Sequence, residues 1–354
     1  MQHPDICIAG AGIIGLSLAL ELHRRGLRVT VLDRGNPLAE ASTAAAGMLA
    51  AADPDNPPQL RSLADLSLSL YPAFLERLHA LSGIRVPFHT QSTLQALPPH
   101  ITADNILTAT DLTHLLPALL PGDHRFLLLD ERSLDPRELG AALLAAVRAT
   151  TIDLRTHTSV LSIQSRPDSI EVHAPTGSFL AAHFIDCTGA WAATTSSFSI
   201  TPKKGQMLSV SLPPALPLHL VVRTPEIYIV PRIPASTEQR AIIGATIEDA
   251  GFDKTVHSAD IAKLHALAAA LLPQLVSAPI LESWAGLRPA TPDGLPILGA
   301  LPTHSHHHMA TGHYRNGILL APATARLVAQ SILGEPTSLN LSPFSPVRFL
   351  SPPK

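Results

Sequence analysis

The stretch Asp5-Ile6-Cys7-Ile8-Ala9-Gly10-Ala11-Gly12-Ile13-Ile14-Gly15 governs how the residues after it are read. Its first five residues have the length and apolar character of a short buried strand. Residues 13–25 then place apolar side chains at helical spacing, up to a natural stop at Gly26. Residues 27–32 form a second apolar run ending at Asp33. Each part has a physical task. Gly10 permits a tight turn, Gly12 lets a pyrophosphate approach the backbone, and Gly15 lets helix and strand pack closely. The helix start offers free N–H groups and the positive end of its dipole to phosphates. Asp33 can accept hydrogen bonds from ribose hydroxyls, and its charge disfavours a 2′-phosphate. Strand, helix, second strand and acid in register point to a dinucleotide site rather than a chance glycine-rich turn. On these residues alone, NAD and FAD fit equally.

The 354 residues have room for two domains, or for one domain with a large insertion. A formal net charge of −3 gives no sign of a nucleic-acid partner. Only 4% of residues are aromatic against 46% hydrophobic, so Leu, Ala, Val and Ile must fill the core. Cys7 and Cys187 both lie in apolar runs and read as buried thiols in a reducing compartment. The N-terminal apolar stretch holds the glycine motif and Glu21 rather than a signal-peptide pattern. No uncharged apolar run reaches the roughly 18 residues of a membrane span, and a cytoplasmic protein is expected.

Past Asp33, a loop at Arg34-Gly35-Asn36-Pro37-Leu38 leads to Glu40-Ala41-Ser42-Thr43-Ala44-Ala45-Ala46-Gly47-Met48-Leu49. These small residues read either as an alanine-rich helix start or as backbone laid against something large and flat. Residues 57–81 predict a helix with Leu63, Leu66, Leu70, Phe74 and Leu78 on one face, bent or divided at Pro72. Residues 83–129 are strand-like but broken by prolines, whereas 135–149 predict a clear helix with Pro136 in its first turn. Residues 152–155, 159–165, 169–174 and 179–187 alternate like short strands of an insertion. Strand-rich sequence resumes at Lys204 and runs through 226–231 and 241–246. Residues 260–272 and 322–333 predict helices, and the proline-rich tail from Glu335 is expected to be irregular. His304, His306, His307 and His308 lack the spacing of a metal site and read as a solvated loop.

Four segments carry a family resemblance: the N-terminal motif, Ala44-Ala45-Ala46-Gly47-Met48-Leu49, Tyr228-Ile229-Val230-Pro231-Arg232 with Gly244-Ala245-Thr246, and the run from Trp284 to Pro322. In the last, Gly286-Leu287-Arg288-Pro289, Asp293-Gly294 and Gly312-His313-Tyr314-Arg315-Asn316-Gly317-Ile318-Leu319-Leu320-Ala321-Pro322 follow in order. Together they resemble the FAD-dependent glycine and D-amino-acid oxidases, in particular the bacterial glycine oxidases that feed thiazole synthesis for thiamine. The likeness is poor between about 83 and 133, where this chain is shorter and lid loops would be reduced.

The resemblance implies an α/β (α+β overall) fold. A Rossmann-like FAD-binding domain of discontinuous segments (1–83, 134–200 and 286–354) would carry an inserted antiparallel-sheet substrate domain (84–133 and 201–285). By motif match, non-covalent FAD would meet Gly10, Gly12, Ile13, Ile14 and Gly15, then Asp33 and Arg34, Ala41 and Ser42, and Ala46, Gly47 and Met48. Val160 would contact the adenine end through its backbone, and Thr188 and Gly189 would end the return strand. Gly312, His313, Tyr314, Arg315, Asn316, Gly317, Ile318 and Leu319 would pass under the flavin ring. The cysteines that attach flavin in some sarcosine oxidases lie elsewhere than Cys187.

Arg288 sits between Trp-Ala-Gly-Leu and Pro, too apolar a setting for a casual surface charge. Its guanidinium could clamp a carboxylate through two parallel N–H···O bonds, which Lys cannot imitate, or serve a structural ion pair. The resemblance favours the first, adds the Tyr228 hydroxyl to the same carboxylate, and leaves Arg315 either assisting it or holding the loop by the flavin. It also implies a reaction without a protein base. The substrate binds with a neutral amine, its Cα hydride passes to flavin N5, and the imine is released or hydrolysed. Oxygen then reoxidises the flavin to give hydrogen peroxide. Two positions depart from the family: Glu226, where a neutral or weakly basic residue is expected, and Ile247, where glycine oxidases can carry Met. With Met48 they would border the substrate, and Glu226 would either favour a second amine or face solvent. The partners expected are a small amino acid, oxygen, and possible copies of the chain in a homo-oligomer. Rival readings are a D-amino-acid dehydrogenase using a quinone or other acceptor, a flavin-binding protein without turnover, and an NAD-dependent dehydrogenase.

Overall fold

A computed structural model of the chain describes residues 4–98, 101, 103–194, 198–233, 239–302 and 304–349. The glycine motif forms the expected unit: β1 (Ile6–Ala9), α1 (Ile13–Arg24) and β2 (Val29–Leu32), with the two strands parallel and Ile6 opposite Val29. Both strands are buried along their whole length because helices cover the sheet, which explains their unbroken apolar runs. Next come α2 (Ala41–Ala44), α3 (Arg61–Ser82), β3 (Thr93–Ala96), α4 (Ala109–Leu115), β4 (Phe126–Leu129), α5 (Pro136–Arg148) and β5 (Asp153–Arg155). A small antiparallel sheet of β6 (Ser162–Ser165), β7 (Ile170–Ala174) and β8 (Gly177–Ala181) leads into β9 (His183–Asp186). The chain continues through β10 (Thr201–Ser211), β11 (Val221–Arg223), β12 (Tyr228–Arg232), β13 (Arg240–Gly244) and α6 (Ser258–Leu271). It closes with β14 (Ile280–Ala290), β15 (Ile297–Leu301), β16 (His304–Thr311) and α7 (Gly317–Ile332).

Two large sheets result. The first runs β15-β16-β9-β1-β2-β5 and is parallel except at β15. Helices α1, α3, α5 and α7 bury their apolar faces with it in one core. The second runs β14-β10-β13-β12-β11-β3-β4 and is antiparallel except for the β11–β3 pair. Its outer face packs on α4 and α6 in a separate core that includes Leu208, Val210, Leu264 and Leu271. Strand β14 crosses the boundary expected between 285 and 286, and pairs with β10 along its length.

Several expectations need correction. Residues 179–187 are not one strand: the chain breaks at Ala182, so β8 stays in the small sheet while β9 enters the first large one. Residues 152–155 also join that sheet as β5 rather than the insertion. Pro72 does not divide α3, because it lies on the exposed side where the unpaired carbonyl one turn back can be hydrated. The C-terminal helix begins at Gly317, five residues before Pro322. Pro322 has no N–H for the Ile318 carbonyl, and the buried Tyr71 hydroxyl donates to that oxygen at 2.5 Å instead. Ser67 similarly accepts from Ala323 N at 3.2 Å, so α3 repairs the break that a proline makes in α7. Residues 83–129 contain α4, whose start carries a full capping box between Thr108 and Asp111. The histidine run is no solvated loop. It lies in β16, with His307 and His308 buried and His308 Nε2 3.1 Å from His183 Nδ1. The tail is not wholly irregular, since Phe344 packs into the first core from a short 3₁₀ turn; residues 350–354 of it lie outside the described residues.

Candidate functional site

A cavity of about 480 Å³ begins at the glycine turn and extends between the two large sheets to Tyr228 and Arg288. At the turn, a Cβ on Gly15 would lie 1.9 Å from the Gly10 carbonyl oxygen, and one on Gly10 would lie 2.5 Å from the Cys187 oxygen. Only glycine lets α1 approach β1 and β9 this closely. Ser42 Oγ accepts from Ile13 N at 2.9 Å, while the N–H groups of Gly12 and Ile14 find no acceptor among the described residues. Asp33, at the end of β2, accepts from Ala11 N at 2.7 Å and from Gly35 N at 2.8 Å. These bonds hold its carboxylate at the edge of the cavity, which Arg34, Ala41, Val160, Thr188 and Gly189 also border. The open N–H groups, the glycine cradle and the acid fit the phosphates and ribose of a dinucleotide.

Farther along, α2 ends at Ala44, Ala45 is extended, and Ala46, Gly47 and Met48 run along the cavity wall. Three bonds fix this segment: Trp284 Nε1 donates to Ala44 O at 3.1 Å, Arg232 Nη2 donates to Ala46 O at 2.5 Å, and Leu134 N donates to Gly47 O at 3.0 Å. Arg232 is buried and pairs with Asp135 at 3.3 Å. His313, Tyr314, Arg315, Asn316, Gly317 and Ile318 line the same cavity. Tyr314 takes a left-handed conformation, φ 47°, and its N–H donates to Pro289 O at 2.9 Å, tying the turn to the end of β14. His313 is buried against Thr324 Oγ1 at 3.0 Å, and burial holds its imidazole neutral, with a pKa down to about 3.

Three residues expected at the cofactor do not border the cavity. Gly15 acts through packing, Gly312 turns with φ +74° against Thr291, and Leu319 points into the core. Cys187 does border it, but burial raises its thiol pKa well above the ordinary value, which leaves a protonated, poor nucleophile.

At the far end, Arg288 lies across Gly205, where a Cβ would be only 2.3 Å from Nη2. Its Nη1 donates to Thr246 O at 3.1 Å and to Lys204 O at 3.3 Å, and the neighbouring Tyr228 hydroxyl is neutral too, so no carboxylate among the described residues neutralises it. The Tyr228 ring covers Gly244 in the same manner. Burial raises the Tyr228 pKa, against the opposing pull of Arg288, so the hydroxyl is a donor at neutral pH. Arg315 borders the same cavity but is already engaged, with Nη1 3.3 Å from Asp55 Oδ2 and Nη2 3.7 Å from Asp53 Oδ2. Beside it, Asn316 Nδ2 donates to Asn56 Oδ1 at 2.9 Å. Glu226 sits at the rim, half-exposed and 3.8 Å from His124 Nε2, and Ile247 is an exposed rim residue.

Sequence reading missed Gly205, whose signal was its place in Lys-Gly-Gln facing Gly286 across β10 and β14. It also missed Asp53 and the buried Arg223, which bonds Gln95 and donates to Glu131 at 2.9 Å. A polar group in a short loop or strand carries no local mark of the residue it will meet.

A model of the FAD dependent oxidoreductase family matches residues 5–331. The bifunctional protein ThiO/ThiG of Trichormus variabilis is 38% identical over 98% of this chain, which spans about half the length (55%) of that relative. The glycine oxidase of Geobacillus kaustophilus is 32% identical over 98% of this chain and 97% of its own. Its crystal structure superposes with a TM-score of 0.90, covering 97% of this chain and 98% of that one. The crystal structure of L-proline dehydrogenase from P. horikoshii, at 20% identity and a TM-score of 0.84, shares the fold. Among the described residues, no helix is long and apolar enough to cross a membrane. The chain belongs to the family of FAD-dependent oxidoreductases.

Proposed function

We propose that this chain oxidises glycine or another small amino acid, including D- and N-methyl amino acids, to the imine or 2-oxo acid. One observation carries the reading. Arg288 is held across Gly205 by two neutral carbonyls, beside the Tyr228 hydroxyl, in the cavity that begins at the dinucleotide cradle. A guanidinium so held keeps its charge for a carboxylate arriving from the cavity. The first large sheet would hold FAD along Gly10 to Ile14, Asp33, Ser42 and the wall at 46–48, and the second would present Arg288 and Tyr228 to the substrate. FAD held there would supply a two-electron acceptor for the substrate Cα–H bond, with oxygen as the final oxidant and the amine giving up the proton that completes peroxide.

The protein's own contribution is placement. Arg288 binds the carboxylate, Tyr228 donates a hydrogen bond to it, and the walls from Ala46 to Met48 and at Ile318 limit water. Arg315 stays with Asp53 and Asp55 and holds the loop, the structural member of its two roles. Supplying the imine for thiamine thiazole synthesis is the metabolic use that the family resemblance supports. An anaerobic screen of the FAD-loaded protein with glycine, sarcosine, D-amino acids and D-proline tests the proposal. Bleaching of the flavin, with stoichiometric peroxide in air, is the expected result. Bleaching without peroxide indicates a dehydrogenase, and no bleaching across the panel overturns the reading.

A further inference from the structure

A partly buried ionic cluster, with Lys204 and Gln206 inside and Glu248 partly exposed, lies behind Arg288 outside the substrate cavity. Side chains alternate along β10, so Lys204 and Gln206 face away from Gly205 and the cavity-lining Met207. Lys204 is completely buried, and its Nζ lies 3.2 Å from Glu248 Oε2 as an ion pair without an aligned hydrogen bond. The other oxygen, Glu248 Oε1, accepts from Gln206 Nε2 at 2.9 Å and from Thr246 Oγ1 at 2.5 Å. Gln206 is itself fixed at the start of α6. It donates to Asp260 Oδ2 at 2.6 Å and accepts from His257 N at 2.6 Å. The backbones are joined as well. Lys204 and Glu248 exchange two N–H···O bonds of 3.0 Å, and Gln206 N donates to Thr246 Oγ1 at 2.8 Å.

The two carbonyls that receive Arg288 Nη1 are those of Lys204 and Thr246, both within this cluster. Stability alone is a weak reason for such an arrangement, since withdrawing the Lys204 ammonium from water offsets much of what its pairing with the partly exposed Glu248 gains. Placement is a better one. We propose that Glu248, with Lys204 and Gln206, is a positioning device for Arg288. It pins the Thr246–Glu248 segment against β10, so that both carbonyls stay under the guanidinium. Glu248 is engaged by Lys204, Thr246 and Gln206 rather than by Arg288, which keeps its charge for the incoming carboxylate. This inference rests on Arg288 being the carboxylate-binding residue.

The test uses the FAD-loaded full chain and its Glu248→Gln, Glu248→Ala and Thr246→Val variants. Glycolate, a carboxylate without an amine, is titrated by calorimetry, and KM and kcat are measured with the best amino acid of the screen. Glu248→Ala should weaken glycolate binding and raise KM by about tenfold or more, with kcat within about threefold, because ground-state placement is what is lost. Glu248→Gln should fall between it and the wild type. Thr246→Val, which removes one hydroxyl, should show the same split if Glu248→Ala does not fold. Unchanged glycolate affinity and KM in Glu248→Gln and Thr246→Val overturn the proposal. So does a loss confined to melting temperature or FAD content. Glycolate binding that Arg288→Ala leaves unaltered overturns it too. If the wild type binds glycolate through Arg288 but no amino acid reduces the flavin, the oxidase reading fails while glycolate affinity still tests the positioning role.

Discussion

Replacing Gly205 with alanine should disable substrate binding while sparing the fold. The new Cβ would lie 2.3 Å from Arg288 Nη2, 2.4 Å from Nη1 and 2.5 Å from Cζ, whereas real Cβ atoms essentially never come within 3.0 Å of a neighbour. The colliding atoms are the far end of a flexible side chain, so the guanidinium yields and the strand pair of β10 and β14 stays. A retreat of about 1 Å in a positioning group costs on the order of a hundredfold. That lies inside the roughly 2–5 kcal/mol at stake when one partner of a desolvated charge pair is lost. KM for the best amino acid should therefore rise about a hundredfold, with FAD content unchanged and melting within a few degrees of the wild type. Steady-state peroxide assays and glycolate calorimetry read the two sides of this claim. A FAD-loaded variant whose KM and glycolate affinity stay within about twofold of the wild type would refute the placement of Arg288 over Gly205.

Three further outcomes are expected. Asp33→Ala strands the N–H groups of Ala11 and Gly35, and should weaken FAD binding by about 1.5–3 kcal/mol in fluorescence titrations of the apoprotein. Its KM for amino acid, measured at saturating FAD, should not move. Tyr71→Phe leaves the Ile318 carbonyl with neither an N–H from Pro322 nor a hydroxyl, and should cost about 1–3 kcal/mol in chemical denaturation. A cost near zero would mean that water replaces the hydroxyl. Burial, aided by His183 and its neighbours, lowers the His308 pKa from 6.5 to about 3. The unfolded chain therefore takes up a proton below pH 6.5 that the folded chain refuses. Its neutral-pH stability is full above 6.5 and drains as pH falls toward 3. His308→Asn should flatten the slope of melting temperature between pH 6.5 and 4, and an identical slope would exclude His308 as a contributor.

The β1-α1-β2 unit of the first sheet was legible because its signals are local. The glycine spacing, the strand at 6–9 and the helix stop at Gly26 all act within about one turn or one strand of themselves. The helix at 135–149 was legible for the same reason, through Pro136 in its first turn. Where reading failed, the deciding partner was remote. Pro322 looked like a helix start because nothing nearby shows that Tyr71 and Ser67 will serve the backbone it disrupts. The histidine run looked like a loop because its polar residues gave no hint that β9 would pair with it. The strand at 179–187 looked continuous because the sheet change at Ala182 leaves the alternation almost intact.

The sequence by itself determined the glycine turn, since helix and strands packed this closely admit only glycine at Gly10 and Gly15. It also singled out Arg288 through its apolar setting and Tyr228 through resemblance, without saying what would hold them. Tertiary structure decided the rest. It laid Arg288 across Gly205, placed the Tyr228 ring over Gly244, engaged Arg315 with Asp53 and Asp55, and buried Lys204 against Glu248. These pairs join residues 16 to 262 positions apart. Their energies come from close packing and from charges brought together at least partly out of water, and both exist only once distant strands and loops have met.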